Sequence, residues 1–196
     1  MPRRSSRQLW ADKLSGKSVT QPADTPLSMQ RKPFRGIILG IDPSLRGTGL
    51  ALVQFIPGEK AKLLHSHTLK IKRTLTQADC LGEICRTIIN TLESAPVRHV
   101  ATEGTIYVQN FQTAQAMGAA RGAAIAAAAM QDIPVFEYAP LRIKQAVVGF
   151  GRASKEQVAK TVRAHLTSNV LLDFDEADAT AVALCHAMTW RDPEMT

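Results

Sequence analysis

One short segment constrains the fold of this chain more than any other, the nearly continuous apolar run from Gly36 to Asp42, which ends in a carboxylate. Since its apolar residues are consecutive instead of alternating, the run predicts a central strand that is covered on both faces. After short turns, Thr48 to Ile56 and Lys60 to Lys70 predict two further strands. Three consecutive strands joined by short turns are expected to form an antiparallel meander.

The third predicted strand carries two histidines with alternating spacing. Ala61, Leu63, His65, His67 and Leu69 are expected to share one face of this strand. His65 and His67 are formally a metal-binding pair, but no third ligand is evident in the sequence. A partly exposed strand face is therefore the preferred interpretation.

The rest of the chain alternates helical and strand patterns. A capping box, Ser154 to Gln157, begins one of the helices. The order β-β-β-α-β-α-β-α-α predicts an α/β fold with a mixed five-stranded sheet, three antiparallel strands then two parallel, and helices on both faces. The predicted segments are a helix over 76–94, a strand over 97–103, an Ala-rich helix over 112–131, a strand over 134–138, and helices over 154–166 and 175–190.

Small residues recur at four-residue spacing in the Ala-rich helix, at Ala114, Gly118 and Gly122. Because small side chains allow another backbone to approach, this spacing predicts close packing of the helix against a neighbour.

Residues 1–35 are predicted to be a basic, flexible arm in front of a folded domain at 36–190, with a short tail at 191–196. Of the net charge of +7, the arm carries +6, from eight basic and two acidic residues. Such an arm suits a polyanionic partner such as nucleic acid, although a solvated tail is equally compatible with the composition. An organellar transit peptide is a third interpretation, because the segment is rich in Arg and Ser.

The composition excludes several classes of protein. No apolar run reaches the roughly 18 to 20 residues that a membrane-spanning helix needs. The three cysteines form no C-x-x-C pair, which argues against a disulfide framework or a structural zinc and favours a cytoplasmic location.

Four carboxylates stand at positions that favour a metal site. Asp42 and Glu103 each end a predicted strand, and Asp175 and Asp178 share a face at the start of the last helix. If the first and fourth strands are neighbours, Asp42 and Glu103 lie side by side at the edge where ligands bind in open α/β sheets. Clustered carboxylates repel one another unless a cation lies between them, and Mg²⁺ or Mn²⁺ prefers such oxygen ligands. Two such ions about 4 Å apart would serve phosphodiester hydrolysis.

The sequence resembles the RuvC family of Holliday junction resolvases, which have an RNase H-like fold. The resemblance covers about residues 36–190. Its most specific part is Ile143 to Val158, IKQAVVGFGRASKEQV, and it also includes the segments ILGIDPSLRGTG at 38–49, Gly118 to Gly122, PVFEY at 134–138 and Asp175 to Ala179.

The resemblance implies a role for each matched residue. Asp42, Glu103, Asp175 and Asp178 are implied to be catalytic acids that bind Mg²⁺, or Mn²⁺ in its place, with two ions per active site. Lys155 is implied to lie near the scissile phosphate. Lys144, Arg121 and Arg46 are implied to contact DNA; for Lys144 and Arg121 the alternative is an exposed solubilising charge.

One departure from the family concerns opening of the junction. Where the family often has an aromatic wedge, this chain has Ile106, with Tyr107 beside it. Either Tyr107 takes over base stacking, or the base-unstacking step differs.

The function implied by the resemblance is metal-dependent, symmetric nicking of two opposed strands of a four-way DNA junction by a homodimer, with a branch-migration helicase as a further partner. The location expected is the cytoplasm, in association with the nucleoid. The alternatives are a nuclease that acts on another branched or structured nucleic acid, and an inactive scaffold that binds junctions.

Overall fold

The computed structural model describes residues 33–104, 110–168 and 170–190. The predicted tail at 191–196 and residues 1–32 of the predicted arm lie outside the described residues, as do Ile106 and Tyr107.

Five strands form one mixed sheet in the order β3-β2-β1-β4-β5. β1 pairs antiparallel with β2 and β2 with β3, whereas β1 pairs parallel with β4 and β4 with β5. The predicted sheet of three antiparallel and two parallel strands is therefore confirmed. The strands are β1 (Gly36–Asp42), β2 (Gly47–Phe55), β3 (Lys62–Lys70), β4 (Val97–Glu103) and β5 (Val135–Tyr138).

Helices cover both faces of the sheet, as predicted. Two of them contribute to the core on the face that contains Leu39 and Leu50, and the other three to the core on the face that contains Ile38 and Val53. None of the described helices is long and apolar enough to cross a membrane. The first pair comprises α1 (Gln77–Glu93) and α2 (Phe111–Ala129), and the others are α3 (Pro140–Val148), α4 (Lys155–His165) and α5 (Phe174–Thr189).

Helix α3 is absent from the predicted order of elements, which has one helix fewer. The helix has only nine residues and begins with Pro140, which is favourable at a first helical position although it interrupts helices elsewhere. Gly149 ends it in the left-handed conformation with φ 94°. The capping box of α4, in contrast, is confirmed: Ser154 accepts a hydrogen bond from the Gln157 N–H, and the Gln157 side chain accepts one from the Ser154 N–H.

The predicted face of β3 is wrong at its beginning. A register shift places Leu63 opposite Val53 but His65 opposite Leu52, so Leu64 is an extra residue in the ladder. An inserted residue moves the following side chains to the other face. Leu63 consequently packs into the core between the sheet and helices α3, α4 and α5. His65 and His67 lie on the opposite face of the sheet, which α1 covers.

The folded body extends to the N-terminal side of the predicted boundary. Phe34 is 3% exposed and packs against Phe55 and Trp190. An isolated aromatic after a proline has no periodic neighbours, so the hydrophobic pattern could not reveal its burial.

The Ala-rich helix packs closely against a neighbour, as predicted, but Gly118 and Gly122 do not form this contact. Among the described residues, and apart from the backbone of α2 itself and the adjacent residues, no atom lies within 4 Å of a Cβ built at either glycine. The buried face of α2 consists instead of Ala120, Ala124, Ala127 and Ala128, because helical position relative to α1, not residue size, selects the packed face.

A buried polar network joins the fourth and fifth strands to α5. His186 Nε2 lies 2.9 Å from His99 Nδ1, and its Nδ1 lies 2.7 Å from the Tyr138 hydroxyl. Burial, with His99 as a second cause, lowers the pKa of His186 to about 3. His186 is thus a fully buried histidine of the core, and it does not line the cavity described below.

Candidate active site

The parallel pairing of β1 and β4 brings the first two predicted carboxylates together. Ile41 pairs with Thr102 in this ladder. The next residue of each strand is acidic, so Asp42 and Glu103 leave the sheet side by side. The prediction that the first and fourth strands are neighbours is confirmed.

Two glycines allow α5 to approach this end of the sheet. A Cβ at Gly40 would lie 2.0 Å from the Ala179 carbonyl oxygen, and one at Gly49 would lie 2.1 Å from the Asp175 carbonyl oxygen. Helix and strands can therefore touch backbone to backbone only because both positions lack side chains. This contact delivers the first turns of α5, with Asp175 and Asp178, to the strand ends.

A cavity of about 210 Å³ lies where these elements meet. Three of the four predicted acids line it, namely Asp42, Glu103 and Asp178, together with Lys144 and Lys155. Asp175 is not part of the lining, although its charge acts on Asp42. The apolar part of the wall consists of Pro140, Ile143, Val158 and Ala181.

Burial and mutual repulsion make the ionised carboxylates costly. The pKa of Asp42 is raised to about 7, mainly by burial and then by the charges of Glu103, Asp178 and Asp175. Burial and Asp178 also raise the pKa of Glu103. Desolvation and like charges act in the same direction here, an arrangement found at functional sites more often than in structural clusters.

Lys155 provides positive charge at the cavity. Its Nζ donates a hydrogen bond to Asp178 Oδ2 at 3.1 Å, and this contact raises the pKa of the lysine. The ammonium group also lowers the pKa of Asp42 and of Glu103. Its side chain remains 61% exposed, so the lysine can reach a ligand in the cavity.

The donor set suits a hard divalent cation. Carboxylate oxygens are the preferred ligands of Mg²⁺ and Mn²⁺, and a cation would relieve the repulsion that raises the pKa of Asp42. Within the described residues, no group of three or more His, Cys, Asp or Glu side chains already converges on one point that could hold a metal ion. The residues therefore fit the ion through their chemistry and charge, and ligation requires the carboxylates to converge further.

The residues predicted to contact DNA have different surroundings. Lys144 lines the cavity, whereas the Arg121 guanidinium donates to the carboxylate of Glu137. Arg46 donates to the carbonyl oxygens of Lys72 and Leu75 and so holds the segment between β3 and α1. Ile106 and Tyr107 lie outside the described residues.

Sequence reasoning missed the contribution of α3 to the site. Pro140 and Ile143 form part of the cavity wall, and Lys144 follows on the same helix. The proline at the first helical position was the available signal for a helix in this segment.

Comparisons with known proteins agree with this architecture. A family model described as "Crossover junction endodeoxyribonuclease RuvC" matches residues 38–186. The RuvC of Halorhodospira halophila is 43% identical over 150 residues, covering 76% of this chain and 89% of the relative. The RuvC of Akkermansia muciniphila is 42% identical over 151 residues, with the same coverage of both chains.

Solved structures of Holliday junction resolvases are also similar to this chain. The structure of Thermus thermophilus RuvC in complex with a Holliday junction substrate superposes with a TM-score of 0.73 at 33% identity, covering 79% of this chain and 94% of that one. The yeast mitochondrial Holliday junction resolvase Ydc2 superposes with a TM-score of 0.57 at 12% identity, covering 80% of this chain and 82% of that one. The latter comparison supports the fold alone.

Proposed function

The chain belongs to the RuvC family of crossover junction endodeoxyribonucleases, and we propose that the carboxylate cavity is its active site. The protein has the RNase H-like fold and resolves Holliday junctions. One observation supports this location of the site above all others. Acids separated by 61 and 75 residues in sequence, Asp42, Glu103 and Asp178, line one cavity with two lysines.

Asp42, Glu103, Asp175 and Asp178 would hold the divalent ions. When bound, two Mg²⁺ ions, or Mn²⁺ in their place, would stabilise the attacking and leaving oxygens of an in-line displacement at phosphorus. Asp42, at the end of the buried strand β1, would be one of the ligands of these ions. The pKa shifts of Asp42 and Glu103 describe the side chains without ions, and a bound cation would bring both back towards their ordinary range.

Lys155 would act on the substrate phosphate. Its exposed ammonium can offset the negative charge that develops on the phosphoryl oxygens in the transition state. Lys144, which also lines the cavity, would hold the adjacent backbone phosphate. Arg121 would contact DNA only after exchanging Glu137 for a phosphate.

Specificity would come from the shape of the junction more than from base-edge contacts. Two copies of the chain would each nick one of two opposed strands, and the uncovered Gly118 and Gly122 positions of α2 are a candidate for the surface between them. Tyr107 or Ile106 would contribute to base unstacking. A branch-migration helicase would be a further partner, and the location would be the nucleoid in the cytoplasm. The basic arm would increase affinity for the phosphate backbone.

The test uses mobile-core and immobile synthetic four-way junctions, incubated with the full chain and Mg²⁺ or Mn²⁺. Paired, symmetric nicks that a ligase can reseal are expected, because hydrolysis in this geometry leaves a 5′-phosphate and a 3′-hydroxyl. Asp42→Asn should bind the junction without nicking it. The matched control is Glu59→Gln, an exposed carboxylate in the turn between β2 and β3, which should nick like the parent.

The other outcomes separate the alternatives. Tight binding without nicks in either metal would favour a junction-binding scaffold. Cleavage of flaps or structured RNA in preference to four-way junctions would favour a nuclease with another substrate. Nicking by Asp42→Asn at the parental rate would contradict the proposed site.

A further inference from the structure

A second cluster of ligand side chains lies between the outermost strand and α1. His65 and His67 of β3 face a cavity of about 440 Å³ whose other wall is the last two turns of α1. Every side chain that lines this cavity is polar: His65, His67, Thr87, Asn90, Thr91 and Ser94. The register shift in β3 places both histidines on this side of the sheet, opposite Leu52 and Leu50.

We propose that His65 and His67 form a binding site for a divalent transition-metal ion of the zinc type, separate from the carboxylate cavity. The two histidines would be the protein's nitrogen ligands. Asn90 and water would complete the coordination from the α1 side. The ion would connect the edge strand of the sheet to α1.

The spacing of the two imidazoles fits a shared ion. With a metal–nitrogen bond of about 2.1 Å, the metal lies about 3.2 Å from each ring centre, so two rings at a tetrahedral angle have centres about 5.2 Å apart. The ring centres of His65 and His67 are 5.4 Å apart. The distance between the two rings is therefore compatible with ligation of one ion by both histidines.

One of the imidazole nitrogens has no hydrogen-bond partner among the described residues. His67 Nδ1 is buried, and it makes no hydrogen bond within the part of the chain that the structure describes. A buried, unpartnered polar atom costs about 1 to 3 kcal/mol, so such atoms are rare unless a ligand or ion satisfies them.

The electrostatics of the cavity favour a cation over an anion. The carbonyl ends of a helix carry partial negative charge, and the last turn of α1 contains no basic residue to balance it. Glu93 adds a negative charge to the same turn. Phosphate or another anion would meet this negative field in a cavity whose lining contains neither lysine nor arginine.

The choice of ion follows from the donors. Imidazole nitrogen suits Zn²⁺, Ni²⁺ and Cu²⁺, whereas Mg²⁺ prefers oxygen. The two proposed metal sites should therefore be distinguishable by ion even in one sample. Millimolar Mg²⁺ would occupy the carboxylate cavity and leave the histidines for Zn²⁺.

The experiment titrates the full chain with Zn²⁺ against a chromophoric chelator, in millimolar Mg²⁺ and a non-thiol reductant that keeps the cysteines reduced. One equivalent per chain is expected for the parent. His65→Ala and His67→Ala should each weaken this binding by at least about tenfold, because each removes one of only two protein nitrogens. His65 is exposed, so its replacement leaves the fold intact and keeps the test decisive.

Two variants serve as matched controls. His165→Ala removes a histidine from α4, and Asp42→Asn alters the carboxylate cavity; both should retain the equivalent of Zn²⁺. At a hundredfold excess of Zn²⁺ over Kd, the melting temperature of the parent and of both controls should rise by about 5 °C or more, and that of the His65 variant should not. Zn²⁺ uptake that is absent in the parent, unchanged in both histidine variants, or lost in Asp42→Asn would overturn the proposal.

Discussion

Gly40→Ala should separate the two halves of the candidate active site while leaving every acid in the chain. Gly40 lies in the middle of β1, two residues before Asp42, where α5 crosses the strand. A Cβ there would be 2.0 Å from the Ala179 carbonyl oxygen and 3.0 Å from the Ala183 Cβ. Because the nearest atom belongs to the backbone of a buried helix, no side-chain rotation relieves this overlap.

The distance by which α5 must move determines how much stability and cleavage activity Gly40→Ala is expected to lose. Non-bonded heavy atoms normally lie about 3.5 Å apart, so α5 must retreat by roughly 1 to 1.5 Å at Ala179. Overpacking of this kind costs about 1 to 3 kcal/mol of unfolding free energy. Asp178 is the residue immediately before Ala179 and would move away from Asp42 and Glu103 with the helix. A misplacement of about 1 Å among reacting groups lowers rates by about a hundredfold.

The assay is single-turnover cleavage of a mobile four-way junction, well below the melting temperature, with urea unfolding on the same preparation. Gly82→Ala is the matched control, since the atoms nearest to its Cβ would be those of the flexible end of Arg86 inside α1. This control should cleave like the parent and gain about 0.5 to 1 kcal/mol of stability. If Gly40→Ala lost stability but cleaved at the parental rate, the close approach of α5 would not determine the geometry of the site.

Four further predictions concern charge. Lys155→Gln should slow single-turnover cleavage by about 10² to 10³-fold with little change in junction affinity, because it removes stabilisation of the transition state. Without metal, Asp42→Asn should stabilise the protein at pH 8, by about 2 to 4 kcal/mol from the raised pKa of Asp42, and have little effect at pH 4. Arg121→Gln should lower the slope of log affinity against log salt by about one, as expected for one lost phosphate contact. Deletion of residues 1–32, which retains the buried Phe34, should weaken junction binding and flatten its salt dependence.

The sign of the pH prediction follows from the direction of the shift. Between about pH 4 and pH 7 the folded protein holds a proton on Asp42 that the unfolded chain has released. Stability contributed by this carboxyl is therefore lost as the pH rises across that range. Urea unfolding in EDTA at both pH values measures the effect. If the difference in unfolding free energy between the parent and Asp42→Asn were the same at pH 4 and pH 8, the prediction would be contradicted.

The other three predictions have equally simple controls and contradicting results. Lys160→Gln, an exposed lysine of α4, should cleave like the parent. Equal rates for Lys155→Gln and the parent would remove Lys155 from the chemistry. If Arg121→Gln left the salt dependence of junction binding unchanged, Arg121 would not contact a phosphate. An unchanged salt dependence after deletion of residues 1–32 would likewise contradict the proposed role of the arm.

The sheet and the position of its acids were predictable because their signals are local. The unbroken apolar run of β1 requires cover on both faces, and right-handed crossovers then place β4 beside it. The ends of these two strands are acidic, so the meeting of Asp42 and Glu103 followed from topology. The approach of α5 to the strands was not predictable in the same way, because it depends on glycines that face a helix remote in sequence.

The errors arose where one residue changed the register or the packed face. Leu64 is inserted in β3, and nothing in an alternating pattern marks which residue is the extra one. Gly118 and Gly122 have the four-residue spacing found where two helices pack closely, but it is the alanines on another face of α2 that contact α1. The hydrogen bond between His99 and His186 joins residues 87 positions apart, and neither has a signal in its local sequence.

Helix α5 contributes to both the candidate active site and the core, and different parts of the helix do so. Its middle and C-terminal half is almost completely buried, with Ala179, Val182 and Leu184 all at most 1% exposed. Its first turns instead bring two carboxylates towards two others, and this repulsion, added to the larger effect of burial, raises the pKa of Asp42 and costs stability. A helix held only at its N-terminal end would swing away from that repulsion. Since burial of the remaining turns fixes the helix axis, the carboxylates stay close to one another, and a divalent cation bound among them would relieve their repulsion.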